Sequence, residues 1–266
     1  MSAQPTGTAV PIHLRTDEYS LVGPDDFGAP GLRAREAVGP FTSIAAVGPL
    51  VTIHDRYFEP RSGASEQPHR GMDRLFYVIE GHIRHRDSIE TMSGTMRAGD
   101  LGILTEGQEG MVHSEQNDAE VPARAYVLAY PADPLPEKAA FDIVPDEAMP
   151  RLTPHAGVEI KVVVERASRR VHGQIHEFAD TRFEVGGALP IVLEPGEGGV
   201  LFCLDGWIQI STPGSSPVTS LGVDDTVLFP PAPEARRVVV DAQAPSRLLH
   251  AVTGTGFGFR LQEPRA

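Results

Sequence analysis

A single cysteine, Cys203, stands among 266 residues. One thiol cannot build an internal disulfide framework, and it suits a reducing cytoplasm, the expected location. Long apolar runs are missing too. None approaches the roughly 20 residues needed to cross a bilayer, so no membrane helix is expected. The opening stretch MSAQPTGTAVPIHLRTDEYS has no basic patch followed by an apolar segment, so it lacks the pattern of a secretory leader. Lysine and arginine never run longer than two in a row, and 23 of them stand against 36 aspartates and glutamates, for a formal net charge of −13. A surface that negative repels phosphate backbones, which argues against direct nucleic-acid binding. Helical periodicity is scarce: DEAMPRL has room for one turn before Pro150 stops it.

What the sequence does have is 27 glycines and 24 prolines between short segments rich in Val, Ile, Leu, Phe and Thr. That pattern predicts many short strands joined by turns. The chain also resembles itself. LFYVIEGHIRH ends its apolar run at Glu80-Gly81, and VLFCLDGWIQIS ends its run at Asp205-Gly206, 125 residues later. The same offset carries Asp100 of GTMRAGDLGIL onto Asp225 of TSLGVDDTVLF. Two matches at one offset predict a duplicated all-β domain, each copy closing into a sandwich or small barrel. The expected division is a first domain over residues 1–135, a Pro- and charge-rich linker over 136–157, and a second domain over 158–266.

The chemistry concentrates in the first copy. On a strand, residues i and i+2 share a face, so Gln67 pairs with His69, and His113 with Glu115. Two neighbouring strands facing one interior would bring both pairs together. His69, His113 and Glu115 then offer two imidazoles and a carboxylate, a set that suits Fe(II) and also Mn, Ni, Cu or Zn, with positions left open for substrate or water. Gln67 adds a neutral carbonyl oxygen or only a hydrogen bond. The offset of 125 puts Val192, Glu194, Val238 and Val240 at the four corresponding places, which predicts an apolar second interior without ligands. The remaining candidates read as structural. His85, Arg86 and Asp87 are expected to form a network tying strands together, and His54-Asp55 an exposed turn pair. Arg70 is expected to face away from the site, and His82, His172 and His176 to lie at the surface. Trp207 is expected to pack in the second barrel or between the domains.

PHRGMDRLFYVIEGHIRHRDS followed by AGDLGILTEGQEGMVHSE resembles the N-terminal domain of the pirins, which are bicupins. The shared features are the PHRG step, the YV-x-EG turn, HRDS, the Gly-Asp turn and the terminal HSE. VGPLVTIHDRYF resembles the pirin lead-in strand, with a substitution at its aromatic-Asp step. The resemblance implies an all-β bicupin with one metal, usually iron, on three His and one Glu. Carried over by position, it gives His69, His113 and Glu115 as ligands, with Gln67 where the pirins have a fourth ligand, a histidine, and Asp73 where they have Glu. A neutral amide is the poorer ligand, so metal affinity is expected to fall, with a metal-free site as the alternative expectation. The implied activity is dioxygenation of a small aromatic substrate of the quercetin type, with Glu115 as the base that takes the substrate's hydroxyl proton. The alternative implied by the same resemblance is a non-enzymatic regulator that binds a protein partner and senses redox state.

Overall fold

The computed structural model describes residues 10–88, 92–166, 168–213 and 219–265. Residues 1–9, part of the opening stretch read above, lie outside them. The chain folds as two antiparallel β-sandwiches, in agreement with the all-β bicupin expectation. In the first half a seven-stranded sheet runs in the order Ala140–Val144, Leu101–Thr105, Met72–Glu80, Ala123–Pro131, Thr52–Phe58, Leu32–Val38, Ser20–Val22. It packs against a four-stranded sheet ordered Ser62–His69, Met111–Asn117, His82–Asp87, Gly94–Arg97. The second half repeats the arrangement, with Ala188–Leu193, Arg236–Ala242, Ile208–Ser211 and Thr219–Leu221 as its four-stranded sheet.

The pattern of burial explains the layers. Strand Met111–Asn117 buries every second residue, because only one face looks inward. Strand Met72–Glu80 buries side chains on both faces. Phe76 and Val78 fill the first sandwich, while Leu75, Tyr77 and Ile79 join a core shared with Phe178, Phe202 and Leu249 of the second half. Tyr126 stacks on Phe202 at 4.7 Å, and Tyr77 meets Phe178 edge-on at 5.6 Å. Each such fully buried ring contributes roughly 1.5–3 kcal/mol, so the two large sheets are held face to face by apolar burial.

The strands are also exchanged between halves. Ile12–Leu14 pairs with Thr226–Phe229 at the edge of the second large sheet, and Phe259–Leu261 pairs with Ile44–Val47 of the first half. Among the described residues no helix is long and apolar enough to cross a membrane. The turn expected in DEAMPRL is a 3-10 turn, Asp146–Ala148.

The duplication holds in space. Gly81 (φ 71°) and Gly206 (φ 84°) take the same left-handed conformation at the two acidic-Gly turns. A Cβ at either would lie 2.7 Å from Pro122 O or 2.3 Å from Pro245 O, so both turns require glycine. In one strand the offset slips. His113 is registered against Gln67, but Val238 is registered against Ile191, not Val192. A bulge opposite the step from His113 to Glu115 inserts one extra residue in the first half only. Val238 and Val240 are therefore buried as expected, whereas Val192 and Glu194 point outward and Ile191 and Leu193 take the inner places. Trp207 also departs from expectation: it is 49% exposed.

Candidate metal centre

The central strand of the small sheet, Met111–Asn117, carries His113 and Glu115 inward. On one side His113 faces Gln67; on the other, Glu115 faces His85. The bulge sits beside Glu115, where Gly63 comes so close that a Cβ would lie 2.1 Å from Glu115 O. All four expected residues, Gln67, His69, His113 and Glu115, line one cavity of about 220 Å³. Its floor is built by the large sheet, which adds Arg56, Arg74 and His54.

In and beside that cavity the residues divide into two groups, with His85 behind the lining residues His113 and Glu115. Arg74 Nη2 lies 3.2 Å from His69 Nδ1 while its Nε donates to Glu106 Oε1 at 2.8 Å. Arginine has no acceptor. The bond therefore places the imidazole proton on Nε2, which faces Gln67 Oε1 at 3.4 Å. Gln67 Nε2 donates onward to Phe27 O at 3.2 Å. His69 and Gln67 are thus engaged with each other and with their surroundings. Burial, then Arg74, hold the His69 imidazole down at about 4, so it is neutral at pH 7.

The second group makes ion pairs but leaves polar atoms without hydrogen bonds. His113 Nδ1 is 3.0 Å from Glu115 Oε1, but the two are not aligned for a hydrogen bond. Both ring nitrogens of His113, His85 Nε2 and Glu115 Oε1 are buried with no hydrogen-bond partner among the described residues. Buried polar atoms are ordinarily paired, so four orphans around one point need a reason. His85, His113 and Glu115 each offer a ligand atom within 4.8 Å of the others. Two neutral imidazoles and a carboxylate are the donors a divalent transition metal takes, and such an ion satisfies all three residues at once. The donor set fits a metal.

The charges agree. Burial alone would raise the Glu115 carboxyl, but His113, Arg56 and His85 outweigh it and hold it at about 2. Burial lowers His85 to about 4. The carboxylate is ionised and the imidazole unprotonated at pH 7, as ligation requires.

His85 was expected in a structural network. It is 1% exposed, stacked against Phe141 at 4.0 Å and His113 at 5.2 Å, and turned toward the ligand cluster. The signal available for it was its place in HRDS, two residues before Asp87. His54 and Asp55 are likewise buried rather than an exposed turn pair. His54 Nε2 donates to Glu36 Oε2 at 2.7 Å, and Asp55 takes Arg124 Nε at 2.7 Å. Asp73 is buried away from the cavity, accepting the backbone N–H of His172 at 2.8 Å.

Comparison with known proteins bears on this geometry directly, because residues 26–128 match the Pirin family. That stretch is similar to a pirin domain. The matched stretch holds every residue of both groups just described. Pirin-like protein 2 of Arabidopsis thaliana is 26% identical over 200 residues, covering 69% of this chain and 58% of that protein. The chain therefore spans little more than half of that relative's length. The bacterial pirin YhhW of Escherichia coli, solved in complex with nickel(II), superposes with a TM-score of 0.72 at 16% identity, over 92% of this chain and 99% of that one. A quercetin 2,3-dioxygenase from Acinetobacter baumannii superposes with a TM-score of 0.68 at 15% identity, over 85% and 82%. At such identities the two structures speak for the fold, which is that of the bicupins.

Proposed function

We propose that this chain is a metal-binding, pirin-type bicupin whose first sandwich carries out oxygen chemistry on a small hydroxylated substrate. The observation that carries the reading is the buried set of unpartnered donor atoms on His85, His113 and Glu115. In the fuller form of the reading, His69 and Gln67 join His113 and Glu115 as ligands, as the pirin pattern implies. A transition metal held there, Fe(II) first among the candidates, supplies Lewis acidity to substrate oxygens and access to dioxygen. The residues of the chain do the rest. His113 and Glu115 fix the position of the ion. Phe27, Phe76 and Leu32 give the cavity apolar walls that exclude water. Glu115 is the nearest carboxylate for the substrate's hydroxyl proton. A group held at about 2 is a weak base at neutral pH, so its larger contribution is negative charge beside the ion.

The test is metal content by elemental mass spectrometry, on protein purified without chelator or nickel resin, beside His113→Ala. Near-stoichiometric metal that disappears in His113→Ala is expected, followed by oxygen consumption with a quercetin-type flavonol. If neither protein holds metal after reconstitution with Fe(II), the enzyme reading is wrong.

One observation favours a second reading. Gln67 and His69 are already satisfied by Phe27 O, Arg74 and each other. A site that binds metal weakly suits a regulator that recognises a protein partner and responds to redox state. Pull-down with wild-type and His69→Ala protein separates it from the first.

A further inference from the structure

Arg56 is a buried cation of the cavity with few hydrogen bonds. It projects from strand Thr52–Phe58 with its side chain 9% exposed, its guanidinium 5.3 Å from the Phe27 ring centre and 5.6 Å from that of Phe76. A guanidinium has five N–H donors. Among the described residues Arg56 makes one hydrogen bond, a long one, from Nε to His54 Nδ1 at 3.4 Å. Its nearest carboxylate oxygen, Glu115 Oε2, is 3.5 Å from Nη1, an ion pair without a hydrogen bond. Arg74 differs: it is tied to both Glu106 and His69. A buried cation with idle donors is costly unless something takes them up.

The charges around the cavity point the same way. Arg56 and Arg74 stand against Glu36, Glu106 and Glu115, all largely buried. The two guanidiniums and three carboxylates leave one net negative charge among themselves. A divalent ion turns this into one net positive charge, and a singly charged anion would close the balance. Glu115 already faces Arg56 at 3.5 Å and is the carboxylate a metal would take up; Glu36 and Asp26 do not compete for that anion's place. Glu36 has both oxygens occupied, by Phe41 N–H at 2.6 Å and His54 Nε2 at 2.7 Å. Asp26 is at the exposed rim, where solvent screens it. At about 220 Å³ the cavity is below the roughly 300–1,000 Å³ of pockets for drug-sized ligands.

We propose that the cavity takes a small organic monoanion, of about one ring, whose carboxylate or enolate oxygens accept hydrogen bonds from Arg56 while its apolar part lies against Phe27 and Phe76. The proposal rests on the metal reading above and narrows its substrate class. It favours a compact acid over a neutral three-ring flavonol. Planar guanidinium and planar carboxylate match as a two-pronged pair, which a lysine cannot reproduce.

The experiment compares benzoate with benzamide, which share a shape but not a charge, by calorimetric titration of Ni(II)-loaded protein. Wild type is expected to bind benzoate at least tenfold more tightly than benzamide, and at least tenfold more tightly with nickel than without. Arg56→Met is expected to weaken benzoate at least tenfold and leave benzamide unchanged. Arg56→Lys, which keeps the charge and guards against a folding defect in Arg56→Met, should fall between. Equal binding of benzoate by wild type and nickel-loaded Arg56→Met overturns the proposal. So does equal binding of the two ligands, or no benzoate binding by loaded wild type. Failure of wild type to take up nickel would sink the metal reading instead. Benzoate titrated into the metal-free proteins then decides on Arg56: binding lost in Arg56→Met upholds the anion seat, and no binding overturns it.

Discussion

Arg74 Nη2 meets His69 Nδ1 at 3.2 Å, and the proton this leaves on Nε2 faces Gln67 Oε1. An imidazole that donates from Nε2 has no lone pair there for a metal. The residue that aligns with a pirin ligand is thereby turned from ligand to hydrogen-bond donor, while His85 stands with Nε2 idle one strand away. His85→Ala is therefore expected to weaken nickel binding more than His69→Ala does, by about tenfold, or ~1.4 kcal/mol. Equal losses in a metal-competition titration would mean that the Arg74 bond gives way when metal binds.

Gln67→His supplies the imidazole that the pirin pattern has at this place. Its neighbour across the sheet is His113. Nickel affinity is expected to rise about tenfold or more. An unchanged affinity would locate the centre on the His85 side of the strand.

Burial pushes the His54 imidazole down to about 4, although its bond to Glu36 works in the opposite direction. The folded value is below the usual 6.5, so folding favours the neutral ring. The associated stability is fully present above pH 6.5 and is lost as pH falls from 6.5 toward 4. It amounts to on the order of 3 kcal/mol. The thermal midpoint should fall across that window in wild type. His54→Gln should have a lower midpoint at pH 7 and a flatter profile between pH 6.5 and 4; an equally steep profile would assign the acid sensitivity to other groups.

Asp224 joins the halves: it accepts Arg35 Nη1 and Arg124 Nη2, each at 2.5 Å, from the first large sheet. Its backbone is left-handed at φ 67°. Asn tolerates that conformation, so Asp224→Asn removes the charge with little backbone strain. Two largely buried guanidiniums would then share Asp55 alone. A loss on the order of 2 kcal/mol is expected in urea unfolding. A midpoint equal to that of wild type would mean that Asp55 suffices.

Much of this was legible in the chain. Strands, turns and the duplication follow from local patterns and a fixed offset, and the i, i+2 spacing brought Gln67, His69, His113 and Glu115 to one cavity. The misses share a cause. A bulge beside Glu115 shifts one strand by a residue, and nothing in the residues of Ser62–His69 announces it. Arg56, Arg74 and His54 come from the opposite sheet, so their partners are set by packing between sheets rather than by spacing along a strand. His85 read as part of a strand-tying network and Asp55 as half of an exposed turn pair, because burial of a charged or imidazole group depends on partners remote in sequence. Trp207 erred in the other direction, since an aromatic residue after a turn can stay in solvent.

The exchange of edge strands has a consequence for synthesis. Ile12 leaves the ribosome long before Leu228, the residue it pairs with, and Ile44 waits for Leu261. Neither sandwich can be completed from its own stretch of chain. The duplicated halves have become mutually dependent: a gene cut between them would yield two fragments, each with an open sheet edge, prone to self-association until the other was supplied.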